Sequence, residues 1–214
     1  MARRKREKIL ALKTMPNVFE EPKALKGNWN KEVFQNDHPV ILELGCGKGE
    51  YTINLAKHYP QYNFIGVDVK GPRLHNGAKE ALDLNLYNVA FLRILIERID
   101  DFFEKGEVSE IWITFPDPYP RKSKAGKRLI SPRFLDLYCQ ILEPNSMVHF
   151  KTDNEALFNY GLEVLNEKGY SVLGYTYNLY HSNMLNHLTA IQTTYEKKFL
   201  AEGLTIKYLH FRLS

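Results

Sequence analysis

The segment IWITFPDPYPRK (111–122) ends an apolar run on an aspartate that stands between two prolines. Pro116 precedes Asp117, and Pro118 restricts the backbone of the aspartate to extended conformations. A carboxylate on so stiff a support has little conformational entropy left to lose when it meets a ligand. Fixed negative charge suits a reaction in which positive charge develops. Asp117 is therefore the leading candidate for a catalytic residue, and the alternative is a solvated side chain in a strand-end turn.

A glycine-rich loop with an acidic residue at each end is the second candidate. In LELGCGKGE (42–50), glycines alternate with other residues, and Glu43 and Glu50 flank them. Glycines at a strand end let the backbone approach a ligand that a side chain would block. Asp68 ends the next apolar segment, where an acidic side chain can accept hydrogen bonds from both ribose hydroxyls of an adenosine. The pattern predicts a cofactor that contains adenosine.

The spacing and charge of this loop separate two classes of cofactor. Dinucleotide sites typically have the spacing G-x-G-x-x-G, whereas this chain has G-x-G-x-G. Negative charge at Glu43 and Glu50 is unfavourable beside a pyrophosphate but suits a ligand with an ammonium and a sulfonium group. The loop therefore favours S-adenosylmethionine over a dinucleotide, and over a tight turn that binds no ligand.

Positive charge is concentrated in two segments, although the net charge of the chain is only +4. Residues 1–31 hold nine Lys/Arg and three Asp/Glu, and residues 121–133 hold six Lys/Arg and no acid. The rest of the chain is therefore acidic. Two basic segments on an acidic body indicate a polyanionic partner, and nucleic acid is favoured over a frayed tail and a solvated loop.

The candidate residues need a scaffold that brings strand ends to one edge of a sheet. Segments typical of strands lie at 39–44, 63–69, 88–94, 109–115 and 146–152. Segments typical of helices lie at 50–60, 73–84, 97–105, 131–142 and 153–169. This alternation predicts βαβ units and a parallel sheet covered on both faces. Two further strand-like segments, 170–180 and 204–213, are predicted to close the sheet as a last pair.

The chain is predicted to hold one domain, residues 31–214, after a basic, irregular and flexible segment, residues 1–30. No apolar run approaches the ~18 residues of a membrane-spanning helix, and the N-terminus lacks the apolar core of a secretory signal. Cys46 and Cys139 lack the spacing of metal ligands and fit a reducing cytoplasm. We therefore expect a cytoplasmic protein with no metal site.

Five motifs extend this pattern over almost the whole chain. They are LELGCGKG (42–49), FIGVDVK (64–70), FPDPYPRKSKAGKRL (115–129), HFKTDN (149–154) and TTYEKKF (193–199). In order and rough spacing they resemble the bacterial tRNA (guanine-N7)-methyltransferase family. The resemblance implies the Rossmann-like class I methyltransferase fold, with a mostly parallel seven-stranded sheet and an antiparallel C-terminal strand. It also implies that S-adenosylmethionine donates a methyl group to N7 of a guanosine in the variable-loop region of tRNA.

The resemblance also implies roles for individual residues. Asp117 is the implied catalytic residue, at the junction of cofactor and guanine. The implied cofactor-binding residues are Glu43, Gly45, Gly47, Asp68, Glu97 and Asp117. The implied substrate-binding residues are Arg121, Asp153, Thr193 and Glu196. From the residues alone, Asp153 is typical of a helix N-cap, and Thr193 with Glu196 is typical of a capping box.

The chain departs from the family pattern at three positions. Tyr119 stands where Trp is common and keeps an aromatic ring for stacking. Arg121 replaces the usual Lys and keeps the charge but not the shape. The family's acidic or amide contact to adenine aligns near Leu95, so either Glu97 substitutes for it or the contact is absent.

Two other functions stay open from the sequence. Exocyclic amino methyltransferases often carry Asp/Asn-Pro-Pro-aromatic after the fourth strand, and the order Asp117-Pro118-Tyr119-Pro120 differs by one step. A non-catalytic RNA-binding module could retain the same fold. For the favoured function we expect tRNA as the partner, no membrane or metal, and a monomer or a homodimer.

Overall fold

One eight-stranded sheet forms the centre of the computed structural model, which describes residues 2–213. The strands are β1 (Val18–Glu20), β2 (Val40–Leu44), β3 (Asn63–Val67), β4 (Val89–Arg93), β5 (Val108–Thr114), β6 (Leu142–Thr152), β7 (Ser171–Thr176) and β8 (Lys207–Arg212). Their order is β1-β4-β3-β2-β5-β6-β8-β7. The pairs from β1 to β6 are parallel, and β8 runs antiparallel to both of its neighbours. Residue 1 of the predicted segment 1–30 and residue 214 of the predicted domain 31–214 lie outside the described residues.

Six α-helices of the described residues pack around the sheet. They are α1 (Ala2–Leu12), α2 (Glu50–His58), α3 (Gly71–Asp83), α4 (Pro132–Tyr138), α5 (Glu155–Lys168) and α6 (Thr194–Ala201). Side chains of α1, α2 and α3 share one apolar core with one face of the sheet, and those of α4 and α5 share a second core with the other face. Because both faces are covered, every residue of β2 and β3 is buried, as continuous apolar runs predict. Within residues 2–213, no helix is long and apolar enough to cross a membrane.

The fold class predicted from the sequence is confirmed. The sheet contains the seven predicted strands, is mostly parallel, and has the antiparallel strand β8 near the C-terminus. The eighth strand, β1, adds to the edge of the sheet beside β4. The carboxyl ends of β2, β3, β4 and β5 therefore meet at one edge, as the candidate site requires.

The prediction of irregular structure for residues 1–30 is wrong in two places. Residues 2–12 form α1, which packs against α3 and buries Leu12. Val18–Glu20 form β1, in parallel register with β4. A strand of three residues is too short to show a period of two, and the basic composition of α1 conceals the apolar side chains near its end.

Two local predictions after strand ends are also wrong. Asn154 caps α5, because its Oδ1 accepts a hydrogen bond from the Leu157 amide at 2.8 Å; Asp153 does not cap this helix. The segment predicted as a helix at 97–105 instead forms 3₁₀ turns at Ile96–Asp101, interrupted at Arg98. Asp153 is thereby available for a role other than capping.

Candidate active site

A cleft of about 730 Å³ lies at the carboxyl ends of β2, β3, β4 and β5. Eight of the predicted site residues line it: Glu43, Gly45, Gly47, Asp68, Glu97, Asp117, Asp153 and Thr193. Two predicted residues do not line it. Arg121 is exposed beside the 3₁₀ segment Lys122–Lys127, and Glu196 is fully buried. The strand ends thus bring together residues that are far apart in the chain.

The glycine loop uses its glycines for two different reasons. Gly47 has φ of 59°, a left-handed conformation, and a Cβ atom there would meet no atom within 4 Å. Gly49 has φ of 69°, and a Cβ there would lie 2.4 Å from the Phe91 ring. Gly47 therefore leaves open space beside the cleft, whereas Gly49 permits close packing of the loop on the sheet.

The Asp68 carboxylate joins the end of β3 to the glycine loop. Its Oδ2 accepts a hydrogen bond from the Gly47 amide at 2.9 Å, and its Oδ1 accepts one from the Lys70 amide at 2.8 Å. The side chain is buried but lines the cleft. An acceptor is thus held in place at the position predicted for a ribose contact.

Glu43 is buried at the base of the cleft and accepts three hydrogen bonds. Its Oε1 accepts from Thr114 Oγ1 at 2.7 Å, and its Oε2 accepts from the Thr52 amide and the Thr52 hydroxyl at 2.9 and 2.5 Å. Burial raises the pKa of Glu43 to about 7, although these hydrogen bonds oppose the shift. A cation bound in the cleft would therefore stabilise the ionised form of Glu43.

The turn that carries Asp117 is bent at two residues with left-handed backbone. Phe115 has φ of 50° and Tyr119 has φ of 41°. Such a conformation costs about 1–3 kcal/mol for a residue other than glycine and persists only when the surroundings impose it. The Phe115 amide donates to the Lys151 carbonyl at 2.9 Å, and the Phe115 ring packs on Phe199. The exposed Asp117 side chain is thus presented to the cleft from a fixed backbone.

Glu196 binds the chain's own Lys151. Both of its carboxylate oxygens contact Lys151 Nζ, at 2.8 and 2.9 Å, and the Tyr180 hydroxyl donates to it at 3.0 Å. Burial raises the pKa of Glu196 and lowers the pKa of Lys151, while their mutual attraction opposes both shifts. In this conformation Glu196 contacts Lys151 and Tyr180 and does not line the cleft, and the substrate contact implied for it stays a prediction.

Thr193 and the residue after it fix the start of α6 at the rim of the cleft. Thr193 Oγ1 accepts from the Glu196 amide at 3.2 Å, which confirms the predicted cap. The reciprocal half of a capping box is missing because the Glu196 side chain turns to Lys151. The Thr194 amide donates to Glu50 Oε2 at 2.5 Å. Glu50 therefore joins α6 to the beginning of α2 and does not only flank the glycine loop.

The remaining predicted residues lie along the walls of the cleft. Leu95 lines it and is 51% exposed, and the partly buried Glu97 lines it two residues later. Asp153 also lines it, and burial raises its pKa. Arg73, which the sequence did not single out, and Tyr195, which lies in the motif TTYEKKF (193–199), both line the cleft. Arg73 Nη2 donates a hydrogen bond of 3.2 Å to the Tyr195 hydroxyl. Nothing local in the sequence links α3 to α6, so this contact needed the structure.

Sequence comparison identifies methyltransferases that are similar to this chain along most of its length. A family model described as a putative methyltransferase matches residues 37–209. A tRNA (guanine-N(7)-)-methyltransferase of Bacteroides fragilis is 46% identical over 100% of this chain and 87% of its own length. Proteins of the same name from Porphyromonas gingivalis and Cytophaga hutchinsonii are 47% and 45% identical, over 94% and 99% of this chain and 86% and 98% of their own lengths.

Solved structures support the same fold at much lower sequence identity. The 16S rRNA methyltransferase KamB matches with a TM-score of 0.66 and 15% identity, over 86% of this chain and 92% of that one. The aminoglycoside resistance methyltransferase NpmB1 matches with a TM-score of 0.58 and 13% identity, over 85% and 90%. The structural matches give the methyltransferase fold, and the full-length sequence matches go further: the chain belongs to the tRNA (guanine-N7)-methyltransferase family.

Proposed function

We propose that this protein transfers the methyl group of S-adenosylmethionine to N7 of a guanosine in the variable-loop region of tRNA. One observation carries the proposal. The Asp117 carboxylate stands on a strained turn in the same cleft as a glycine loop. That cleft belongs to a chain 46% identical to a tRNA (guanine-N(7)-)-methyltransferase.

The cleft fits the cofactor that this reaction requires. The open space beside Gly47 lets a ligand approach the loop backbone, and we assign Gly45 to the same contact. Asp68 offers acceptors for ribose hydroxyls, and Glu43 offers charge to the methionine ammonium. We assign Glu97 to the adenine end. When bound, S-adenosylmethionine supplies an electrophilic methyl group on a positively charged sulfur.

Asp117 is proposed to stabilise the positive charge that develops on the guanine, and it removes no proton. Guanine N7 has an in-plane lone pair and no hydrogen, so the chain needs no general base for its attack. Methylation places positive charge on the purine, and a fixed carboxylate stabilises that charge more in the transition state than in the ground state. The bent turn from Phe115 to Tyr119 holds Asp117 in place before the base arrives.

We assign the substrate to the opposite side of the cleft and to the surface beside it. Asp153 and Thr193 line the cleft and are proposed to contact the target nucleotide. Arg121 and the exposed cations of the segment 121–133 are proposed to contact phosphates, a contribution that weakens with salt. Glu196 is proposed to fix the start of α6 through its ion pair with Lys151, and its implied contact with the target nucleotide stays a prediction.

The proposal is tested with unmodified tRNA and S-adenosylmethionine labelled in its methyl group, followed by separation of the nucleosides. We expect label in 7-methylguanosine, formed at least about 100-fold more slowly by Asp117→Asn, which keeps the shape and removes the charge. The control Asp136→Asn removes an exposed carboxylate of α4 and should keep the wild-type rate.

Other outcomes of the same experiment select the alternatives. Label in an exocyclic amino group would replace the N7 assignment and keep the fold and cofactor. No label in any RNA, with the cofactor bound, would favour the non-catalytic RNA-binding module.

A further inference from the structure

One cation of the basic segment 121–133 points into the protein. Of its six Lys/Arg, all within the described part of the chain, five are exposed and Arg128 is partly buried. Arg128 Nε donates to the carbonyls of Pro118 and Tyr119 at 3.2 and 3.3 Å, and Nη2 donates to the Tyr119 carbonyl at 3.1 Å. Its guanidinium carbon lies 4.2 Å from the centre of the Tyr160 ring. The guanidinium group thus contacts two backbone carbonyls and one aromatic ring.

The two carbonyls that Arg128 binds follow Asp117 directly. Among residues 6–213, whose side chains the structure describes, no other donor reaches either carbonyl. Tyr119 holds a strained left-handed backbone, and such strain persists only when neighbouring groups impose it. A guanidinium suits this task because its planar donors are fixed in direction and it stays charged.

The Tyr160 ring gives this support a rigid base. Tyr160 belongs to α5, so the cation–π contact ties the turn after β5 to a helix on the face of the sheet. The backbone of Arg128 is also fixed, because its amide donates to the Ala125 carbonyl and its carbonyl accepts from the Ser131 amide. The turn that carries Asp117 is therefore held from α5 through one side chain.

We infer that Arg128 is a positioning residue that holds the Asp117 turn in its reactive conformation, and that it is not a phosphate contact. The inference rests on the proposed function for its kinetic consequence. It separates Arg128 from Lys124, an exposed neighbour in the same basic segment.

The experiment compares Arg128→Lys and Arg128→Met with Lys124→Met. Lysine keeps the charge but lacks the planar, fixed donors and the flat face that a guanidinium presents to the Tyr160 ring, so both Arg128 variants should lower kcat about tenfold or more and leave KM for tRNA unchanged. Their salt dependence of tRNA affinity should match the wild type. Lys124→Met should instead raise KM for tRNA and make the negative slope of log affinity against log salt less steep by about 1.

A second measurement does not depend on the reaction. Hydrogen exchange at the amides of Phe115, Asp117 and Tyr119 should be faster in Arg128→Met than in the wild type and in Lys124→Met. A raised KM, a lowered salt slope and unchanged exchange in the Arg128 variants would overturn the inference and make Arg128 a phosphate contact. If the wild-type protein forms no 7-methylguanosine, the proposed function fails, and the exchange rates alone then decide the role of Arg128.

Discussion

Glu43 shows how one buried carboxylate links the cleft to stability. The unfolded side chain ionises near 4.5, and burial raises its pKa in the folded protein to about 7. The folded state therefore favours the protonated form. This contribution to stability is fully present below about pH 4.5 and is lost as the pH rises through about 7.

We predict a specific pH dependence for the free energy of unfolding. Without cofactor, the wild-type protein should lose stability between about pH 4.5 and 7 relative to Glu43→Gln, whose side chain does not ionise. Urea denaturation across this range measures the difference. The control Glu163→Gln changes an exposed carboxylate on α5 and should leave the pH dependence as in the wild type. Parallel curves for wild type and Glu43→Gln would contradict the prediction.

At the residue scale, the sequence identifies groups that sit next to strand ends. Asp68 and Asp117 were predictable because each follows an apolar run directly, and parallel strand ends meet at one edge. The partners of Glu196 and Arg128 were not, since their contacts depend on which segments the fold brings together. The local signal at Glu196 was a capping box, which describes a helix start, and the local signal at Arg128 was a basic segment, which describes charge. Neither signal identifies a tertiary partner.

The connection between β7 and β8 is tied to the sheet by one buried ion pair. Lys151 on β6 contacts Glu196 on α6 and also donates to the carbonyls of Thr189 and Ile191, at 2.8 and 3.1 Å. Both charged side chains are fully buried. Such a pair adds little net stability when intact, but removing one partner leaves a buried charge alone.

We predict strong coupling between these two side chains. Lys151→Met and Glu196→Gln should each lower the free energy of unfolding by about 3–5 kcal/mol, and the double variant should lose clearly less than the sum. Urea denaturation of the four proteins gives the coupling energy. The exposed pair Lys79–Asp83 on α3 is the control and should show a coupling below about 1 kcal/mol. If the losses in the free energy of unfolding at Lys151 and Glu196 were additive, the predicted coupling across the buried ion pair would be refuted.

At the element scale, prediction succeeds where hydrophobic pattern and packing agree. The strands β2 and β3 were predicted because burial on both faces demands continuous apolar residues. Element ends were less certain, because Asp153 and Asn154 are both good caps and only geometry selects Asn154. The strand β1 was missed because three residues carry too little pattern.

The N-terminal segment is joined to the rest of the molecule by a parallel strand pair and an apolar contact. β1 pairs with β4, and α1 places Leu12 in the core that includes α3. Leu12 is 1% exposed, whereas Leu10 in the same helix is 55% exposed. We therefore propose that α1 and β1 unfold with the sheet and do not form an independent segment.

Two leucine substitutions test this proposal. Leu12→Ala should lower the free energy of unfolding by about 2–5 kcal/mol in a single transition, because it removes buried methyl groups and leaves a cavity. Leu10→Ala should change it by less than about 0.5 kcal/mol. Urea denaturation followed by circular dichroism measures both. Equal, small effects would show that α1 contributes no stability to the common fold.

The position of β8 between β6 and β7 has a consequence for biosynthesis. A nascent chain delivers β6 and β7 to the solvent before the strand that joins them has been translated. Until residues 207–212 leave the ribosome, β6 keeps an unpaired edge, and such edges invite pairing with other chains. The later half of the sheet therefore cannot assemble in the order of translation. Its closure waits for β8, so we expect the nascent chain to be most prone to aggregation after β6 and β7 have emerged and before β8 has.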